Sequence, residues 1–169
     1  MNQTKELPPD HETRANPSDH AALRLWLRLL TCTNLIESQV RSHLRTEFDI
    51  TLPRFDLMAQ LERHPEGLKM GVLSKRMMVT GGNVTGITDQ LVAEGLVMRE
   101  DNPKDRRAYI VKLTTAGRRS FKQMAEAHEK WILELFAGLS EKEVASLHKL
   151  LAQLKQHVTA IAMEHATST

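Results

Sequence analysis

Apolar residues recur along most of this chain with a helical period, and the main break in that period falls near residue 100. Leu25, Leu29, Cys32, Ile36, Val40 and Leu44 are spaced by three or four. That spacing predicts a long helix over about residues 18–47. Thr51 then caps a second helix, with Pro53 tolerated in its first turn. Phe55, Met58 and Leu61 step by three along its apolar face, and Leu57 widens that face. His64-Pro65-Glu66-Gly67 ends it. A short helix over about residues 69–77 is expected to bury Val72, Leu73 and Met77. The turn Met78-Val79-Thr80 leads to a helix over about residues 81–94. Thr80 is its expected N-cap, and Val84, Ile87 and Leu91 are expected to face inward. Gly95 is a natural C-terminal stop.

The helical period then gives way to two strand-like segments, Val97-Met98-Arg99 and Tyr109-Ile110-Val111-Lys112-Leu113. Between them lies Asp101-Asn102-Pro103-Lys104-Asp105-Arg106-Arg107, a polar tip with a proline and three cations. Such a tip does not belong in a core. A hairpin with a basic tip suits an anionic, narrow target, and beside a helix-turn-helix that target is most simply a DNA groove.

Thr114 or Thr115 starts a fifth helix, through about residue 137. Ser140-Glu141-Lys142-Glu143 is a capping box opening the last one. There Val144, Leu147, Leu151, Leu154, Val158 and Ile161 step by 3, 4, 3, 4 and 3, with Leu150 widening the stripe slightly. A seam this narrow suits a helix–helix partner surface, because a helix on a monomer core shows a wider face. Packing on the first or fifth helix of the same chain is the alternative. Residues 1–17 are polar, hold Pro8, Pro9 and Pro17, show no period, and are expected to form a disordered arm.

Composition narrows the picture. The chain has 169 residues, 41% of them hydrophobic and 26% charged, with a net charge of only +2. It is long enough for a proper core. Its cations are concentrated: residues 71–120 hold Lys75, Arg76, Arg99, Lys104, Arg106, Arg107, Lys112, Arg118 and Arg119. Only Asp89, Glu94, Glu100, Asp101 and Asp105 oppose them there. A basic segment on a near-neutral body is the footprint of a DNA face. No apolar run approaches the ~18 residues of a membrane span, and the polar start Met1-Asn2-Gln3-Thr4-Lys5-Glu6 has no signal core. The single cysteine excludes an internal disulfide framework and suits a reducing cytoplasm, so a cytoplasmic protein is expected.

The fourth helix offers small and polar residues outward: Gly81, Gly82, Asn83, Thr85, Gly86, Asp89 and Gln90. Small residues admit a close phosphate or base edge. Asn and Gln can bond adenine bidentately, and Thr meets a base edge or a thymine methyl. First-turn N–H groups favour a phosphate. Mere exposure would favour Ala, Glu or Lys, since each helical glycine costs roughly 0.5–1 kcal/mol relative to Ala. The candidate DNA-contacting residues are Lys75, Gly82, Asn83, Thr85, Gly86, Gln90, Lys104, Asp105, Arg106 and Arg107. Arginine suits a narrow minor groove because its planar head is weakly hydrated, and Asp105 can hold one arginine in a fixed rotamer.

These residues carry a family resemblance. Leu73-Ser74-Lys75-Arg76, Val84-Thr85-Gly86-Ile87-Thr88-Asp89-Gln90-Leu91, Gly95-Leu96-Val97, Asp105-Arg106-Arg107 and Leu113-Thr114-Thr115-Ala116-Gly117 resemble the MarR family of bacterial regulators. The resemblance extends from about His20 onward. It implies a mainly α, winged helix-turn-helix protein with a small antiparallel β-wing and long terminal dimerisation helices. Residues 51–113 would be the DNA-binding domain, and residues 18–50 and 114–165 the dimerisation region. Asp105 and Arg107 match the family's Asp-x-Arg, with Arg107 as the minor-groove arginine. Gly86 departs from the pattern, since many members carry Arg or another long side chain there.

The resemblance further implies a homodimer on a pseudo-palindromic double-stranded operator, acting as a repressor released by a small effector, an aromatic acid or its thioester. Its effectors lie between the first, second and fifth helices, where Arg28, Asn34, Ser38, Phe55 and Met58 are the candidates here. A winged-helix protein-interaction module and a redox-sensing regulator using Cys32 are the alternatives. Cys32 falls on the apolar stripe and the only tyrosine, Tyr109, lies in the wing, so a buried, inert thiol is expected. Trp26 and Trp131 are expected in the core. No two histidines are three or four apart, so no metal is expected, and no cofactor. No phosphate loop, nucleophile elbow or His-Glu-x-x-His motif suggests an enzyme.

Overall fold

The computed structural model describes residues 20–78, 80–102 and 109–167. The proposed arm at residues 1–17 lies outside them. The described elements are α1 (Ala21–Phe48), α2 (Leu52–Glu62), β1 (Leu68–Lys69), α3 (Met70–Met77), α4 (Gly81–Ala93), β2 (Val97–Asp101), β3 (Tyr109–Leu113), α5 (Thr115–Phe136) and α6 (Glu141–Thr167). The chain divides into two compact units, one ending at His128 and one beginning at Glu129.

In the first unit, α2, α3 and α4 enclose a core with the sheet. Leu57, Met58, Leu61, Leu73, Val84, Leu91 and Val111 are buried there, joined by Leu44 of α1. The sheet is antiparallel in the order β1-β3-β2. Val97 pairs with Leu113 at the base of the wing, and Asp101 pairs with Tyr109 at its far end. Strand β1 was not expected. It has two residues, Leu68 opposite Val111 and Lys69 opposite Ile110. A strand that short carries no period of its own, and only its distant partner makes it one. Gly67 feeds it at φ 88, where a Cβ would meet the Ile110 and Lys112 side chains.

The turn chemistry at Gly95 holds as expected. Gly95 sits at φ 71 just past the α4 C-cap Glu94. Its N–H donates to the Val92 carbonyl, and the Leu96 N–H donates to the Leu91 carbonyl. This pair of bonds is a Schellman closure, which favours glycine at the left-handed residue. The helix α5 begins on it. The Thr114 hydroxyl donates to the Gly95 carbonyl at 2.7 Å and accepts from the Gly117 N–H at 2.9 Å. Thus one side chain caps α5 and ties it to the end of α4.

Several burial expectations need correction. In α4 the inward residues are Val84, Thr88 and Leu91, while Ile87 is only half-buried. The Thr88 hydroxyl donates to the Val84 carbonyl at 2.7 Å, so a polar residue sits inward without an orphaned donor. Of the three α3 residues expected inward only Leu73 is buried; Val72 is exposed and Met77 half-buried. Thr51 and Thr80 stand at their N-cap positions without a side-chain capping bond.

The first half of α1 also departs from expectation. Trp26 is 56% exposed, Leu25 is exposed, and so is the Cys32 thiol. The apolar residues of α1 become fully buried only at Val40 and Leu44. A helix of 28 residues is about 42 Å long. It outruns the core that its C-terminal half packs on.

In the second unit Trp131 is buried as expected. The helix α6 opens on the capping box. The Ser140 N–H donates to Glu143 Oε2 at 2.8 Å, and the Ser140 hydroxyl donates to the same oxygen at 2.7 Å. These bonds hold the Glu143 carboxyl below its usual range. Residues 141–166 of α6 are all exposed, including Val144, Leu147, Leu151, Leu154, Val158 and Ile161. Among the described residues the apolar stripe is therefore not fully covered. No helix of the described residues is long and apolar enough to cross a membrane.

Candidate nucleic-acid interface

The local pattern of α4 decides what it shows outward. With Val84, Thr88 and Leu91 turned in, Gly81, Gly82, Asn83, Thr85, Gly86, Asp89 and Gln90 are all exposed. A Cβ added at Gly81, Gly82 or Gly86 would meet nothing within 4 Å. Internal packing thus gives no reason for three glycines in a thirteen-residue helix. What the glycines leave is a low, open helix surface. The Thr85 hydroxyl donates to the Gly81 carbonyl at 3.0 Å.

Lys75 is exposed in the last turn of α3, beside Arg76. The wing stands next to α4 in sequence and is tied to it in space. Arg99 on β2 donates through Nη2 to Asp89 Oδ1 at 2.5 Å. Arg54 of α2 is bonded to Glu94, the C-cap of α4. Both pairs cross element boundaries, so no sequence period signalled them. Lys112 and Arg118 are also paired, with Glu100 at 2.5 Å and Glu62 at 3.5 Å. Part of the basic excess is therefore structural. Lys104, Asp105, Arg106 and Arg107 lie outside the described residues.

The candidate effector residues separate into two groups. Arg28, Asn34 and Ser38 are exposed on α1, whereas Phe55 and Met58 are buried. The Phe55 ring lies 5.4 Å from Phe121 and 5.1 Å from His128, centroid to centroid. Arg28 and Ser38 are ten positions apart, about 15 Å of helix rise. Burial raises the pKa of Asp56, Glu37 raises it further, and Arg41 partly offsets both. Among the described residues no group of three or more His, Cys, Asp or Glu could hold a metal ion.

Comparison with known proteins agrees with this geometry. The profile of the MarR family matches residues 50–109. The multiple antibiotic resistance protein MarR of Escherichia coli is 30% identical over 128 residues, covering 75% of this chain and 88% of that protein. The chain belongs to the MarR family. Another relative, the HTH-type transcriptional repressor YetL of Bacillus subtilis, is 27% identical over 92% of both chains. The crystal structure of a MarR family regulator from Silicibacter pomeroyi superposes with a TM-score of 0.70 at 34% identity, over 81% of this chain and 94% of that one. A cysteine-to-serine mutant of Escherichia coli MarR complexed with operator DNA gives 0.69 at 28% identity, over 77% and 92%.

Membership of the MarR family makes the fold a winged helix-turn-helix and the protein a DNA-binding transcriptional regulator. Its relatives are regulators and not enzymes. In those terms α3 and α4 are the helix-turn-helix, and β2 and β3 are the strands of the wing.

Proposed function

We propose that the protein is a homodimeric repressor that holds a pseudo-palindromic operator and leaves it when a small effector binds. The observation that carries this reading is the outward face of α4. It is exposed, small and polar, and its glycines have no internal packing role. Asn83, Thr85 and Gln90 would address base edges, with Gly82 and Gly86 admitting the duplex closely. Lys75 would hold a phosphate. Arg107 would enter the minor groove beside Lys104 and Arg106, with Asp105 fixing its rotamer.

The dimer reading rests on α6. Its apolar stripe, 36% exposed at Leu147 and 55% at Val158, fits a second copy of the same stripe. Residues 18–50 and 114–165 would then form the dimerisation region, and residues 51–113 the DNA-binding domain. A two-fold dimer would set two copies of α4 roughly 34–36 Å apart along the duplex. The repressor assignment draws on YetL, named a repressor. The effector would be an aromatic acid or its thioester, held near Arg28, Asn34, Ser38, Phe55 and Met58.

The test is fluorescence anisotropy with a duplex from upstream of the protein's own gene, at two salt concentrations. Wild type should bind, more weakly at high salt. Arg107→Ala should bind far more weakly while keeping the wild-type size by light scattering. No binding by wild type would favour a protein-interaction module instead.

A further inference from the structure

The turn between α3 and α4 holds a residue that the protein's own packing does not explain. Met78 is the C-cap of α3 at φ 53 and ψ 37, in the left-handed region. Its N–H closes α3 by donating to the Ser74 and Lys75 carbonyls. The reversal into α4 requires that backbone, and glycine or asparagine adopts it at least strain. A methionine there carries a conformational penalty. Its side chain is 94% exposed, the highest value among the exposed large hydrophobics of the described residues. The long apolar side chain therefore neither relieves the turn nor fills the core.

The surroundings indicate what covers it. Lys75 and Arg76 stand three and two residues before it, both exposed, and Gly81 and Gly82 follow within four. Three residues of chain keep the Met78 and Gly81 Cα atoms within about 11 Å of each other. Met78 therefore borders the first turn of the recognition helix, between cations and a glycine pair with open space above it. This edge is continuous with the exposed, small and polar face of α4 proposed above to meet DNA.

We propose that Met78 is an apolar DNA contact of this regulator, its thioether side chain packing against the hydrocarbon surface of the duplex at the edge of the major groove. Thymine methyls and deoxyribose edges both offer that chemistry. A flexible, polarisable side chain follows such an irregular surface well. The contact adds affinity without displacing a counterion, which separates it from Lys75. The inference rests on α4 being the recognition helix.

The experiment compares full-length wild type with Met78→Gly, Met78→Asn and Met78→Leu on one promoter duplex that wild type binds. Glycine and asparagine keep the turn and remove the apolar group; leucine keeps an apolar group. Met78→Gly should melt about 2–4 °C above wild type and yet bind about ten-fold more weakly. Met78→Asn should lose affinity similarly, and Met78→Leu should stay within about two-fold of wild type. The slope of log affinity against log salt should be unchanged in all three, because no phosphate contact is lost.

A duplex with uracil in place of thymine assigns the contact. Equal binding by wild type and Met78→Gly there places it on methyls, and a persisting difference places it on the sugars. If Met78→Gly and Met78→Asn bind thymine DNA as well as wild type, the inference is overturned while the DNA reading stands. If wild type binds no duplex at all, both fall.

Discussion

Arg99 and Asp89 are joined at 2.5 Å, so the wing strand β2 is fastened to the outward side of α4. Their side chains are 31% and 57% exposed, so water screens most of the attraction, and such pairs contribute under ~1 kcal/mol. The pair's role is geometric: it sets the angle between helix and wing. Arg99→Ala should therefore lower unfolding stability by less than ~1 kcal/mol in urea titrations. Its operator affinity should fall about five-fold or more, since two docking elements lose their fixed relation. A stability loss with unchanged affinity would remove the positioning role.

Gly82, in the first turn of α4, and Gly86, in its interior, are exposed glycines with nothing within 4 Å of an added Cβ. Alanine at either site should stabilise the fold by roughly 0.5–1 kcal/mol. The same changes should weaken DNA binding if the duplex approaches the backbone there. Thermal melts and anisotropy on the same samples would show the two effects moving in opposite directions. Alanine variants that bind as well as wild type would show that the approach is not close.

Gly117 presents the reverse case. A Cβ there would lie 1.9 Å from the Leu96 carbonyl oxygen, a backbone atom held by the Thr114 N–H at 3.0 Å. Nothing flexible can move aside. Gly117→Ala should destabilise by about 1–3 kcal/mol or more, visible as a lower urea midpoint. Thr114→Val, which removes the cap and the tether to Gly95, should cost about 1 kcal/mol. An unaffected Gly117→Ala melt would contradict the packing of α5 on Leu96.

His128 beside Phe55 supplies a pH test. Burial lowers its pKa from 6.5, so the folded state binds its proton less readily than the unfolded chain. Stability from this group is fully present above the unfolded pKa. It is lost as pH falls from about 6.5 through the lower folded value. Urea unfolding between pH 7 and 5 should show wild type weakening, and His128→Gln should weaken less over that interval. Identical pH profiles would assign the loss to other groups.

Much of this fold is legible before any coordinates. The helices follow from apolar spacing, the α4 stop from Gly95, and the α6 start from Ser140 and Glu143, all of which are local chemistry. The small outward residues of α4 are legible for the same reason: they occupy one face of a single periodic element. The ion pairs are not legible. Arg54 meets Glu94 across forty positions, and nothing local to either residue names the other. Burial of Thr88 in place of Ile87 is equally hidden, because it depends on how α4 is rotated against its neighbours.

The amino-acid order by itself determined which segments become the helices and the two wing strands, where α4 stops and α6 starts, and which face of α4 is small and polar. Those properties depend on residues within a few positions of one another. Only the tertiary structure decided that Leu68 and Lys69 become a third strand, that Trp26 and Cys32 stand exposed on an α1 longer than its core, and that Asp89 serves Arg99. Each of those outcomes depends on which surfaces meet across long stretches of chain, and the backbone must close on itself before that is settled.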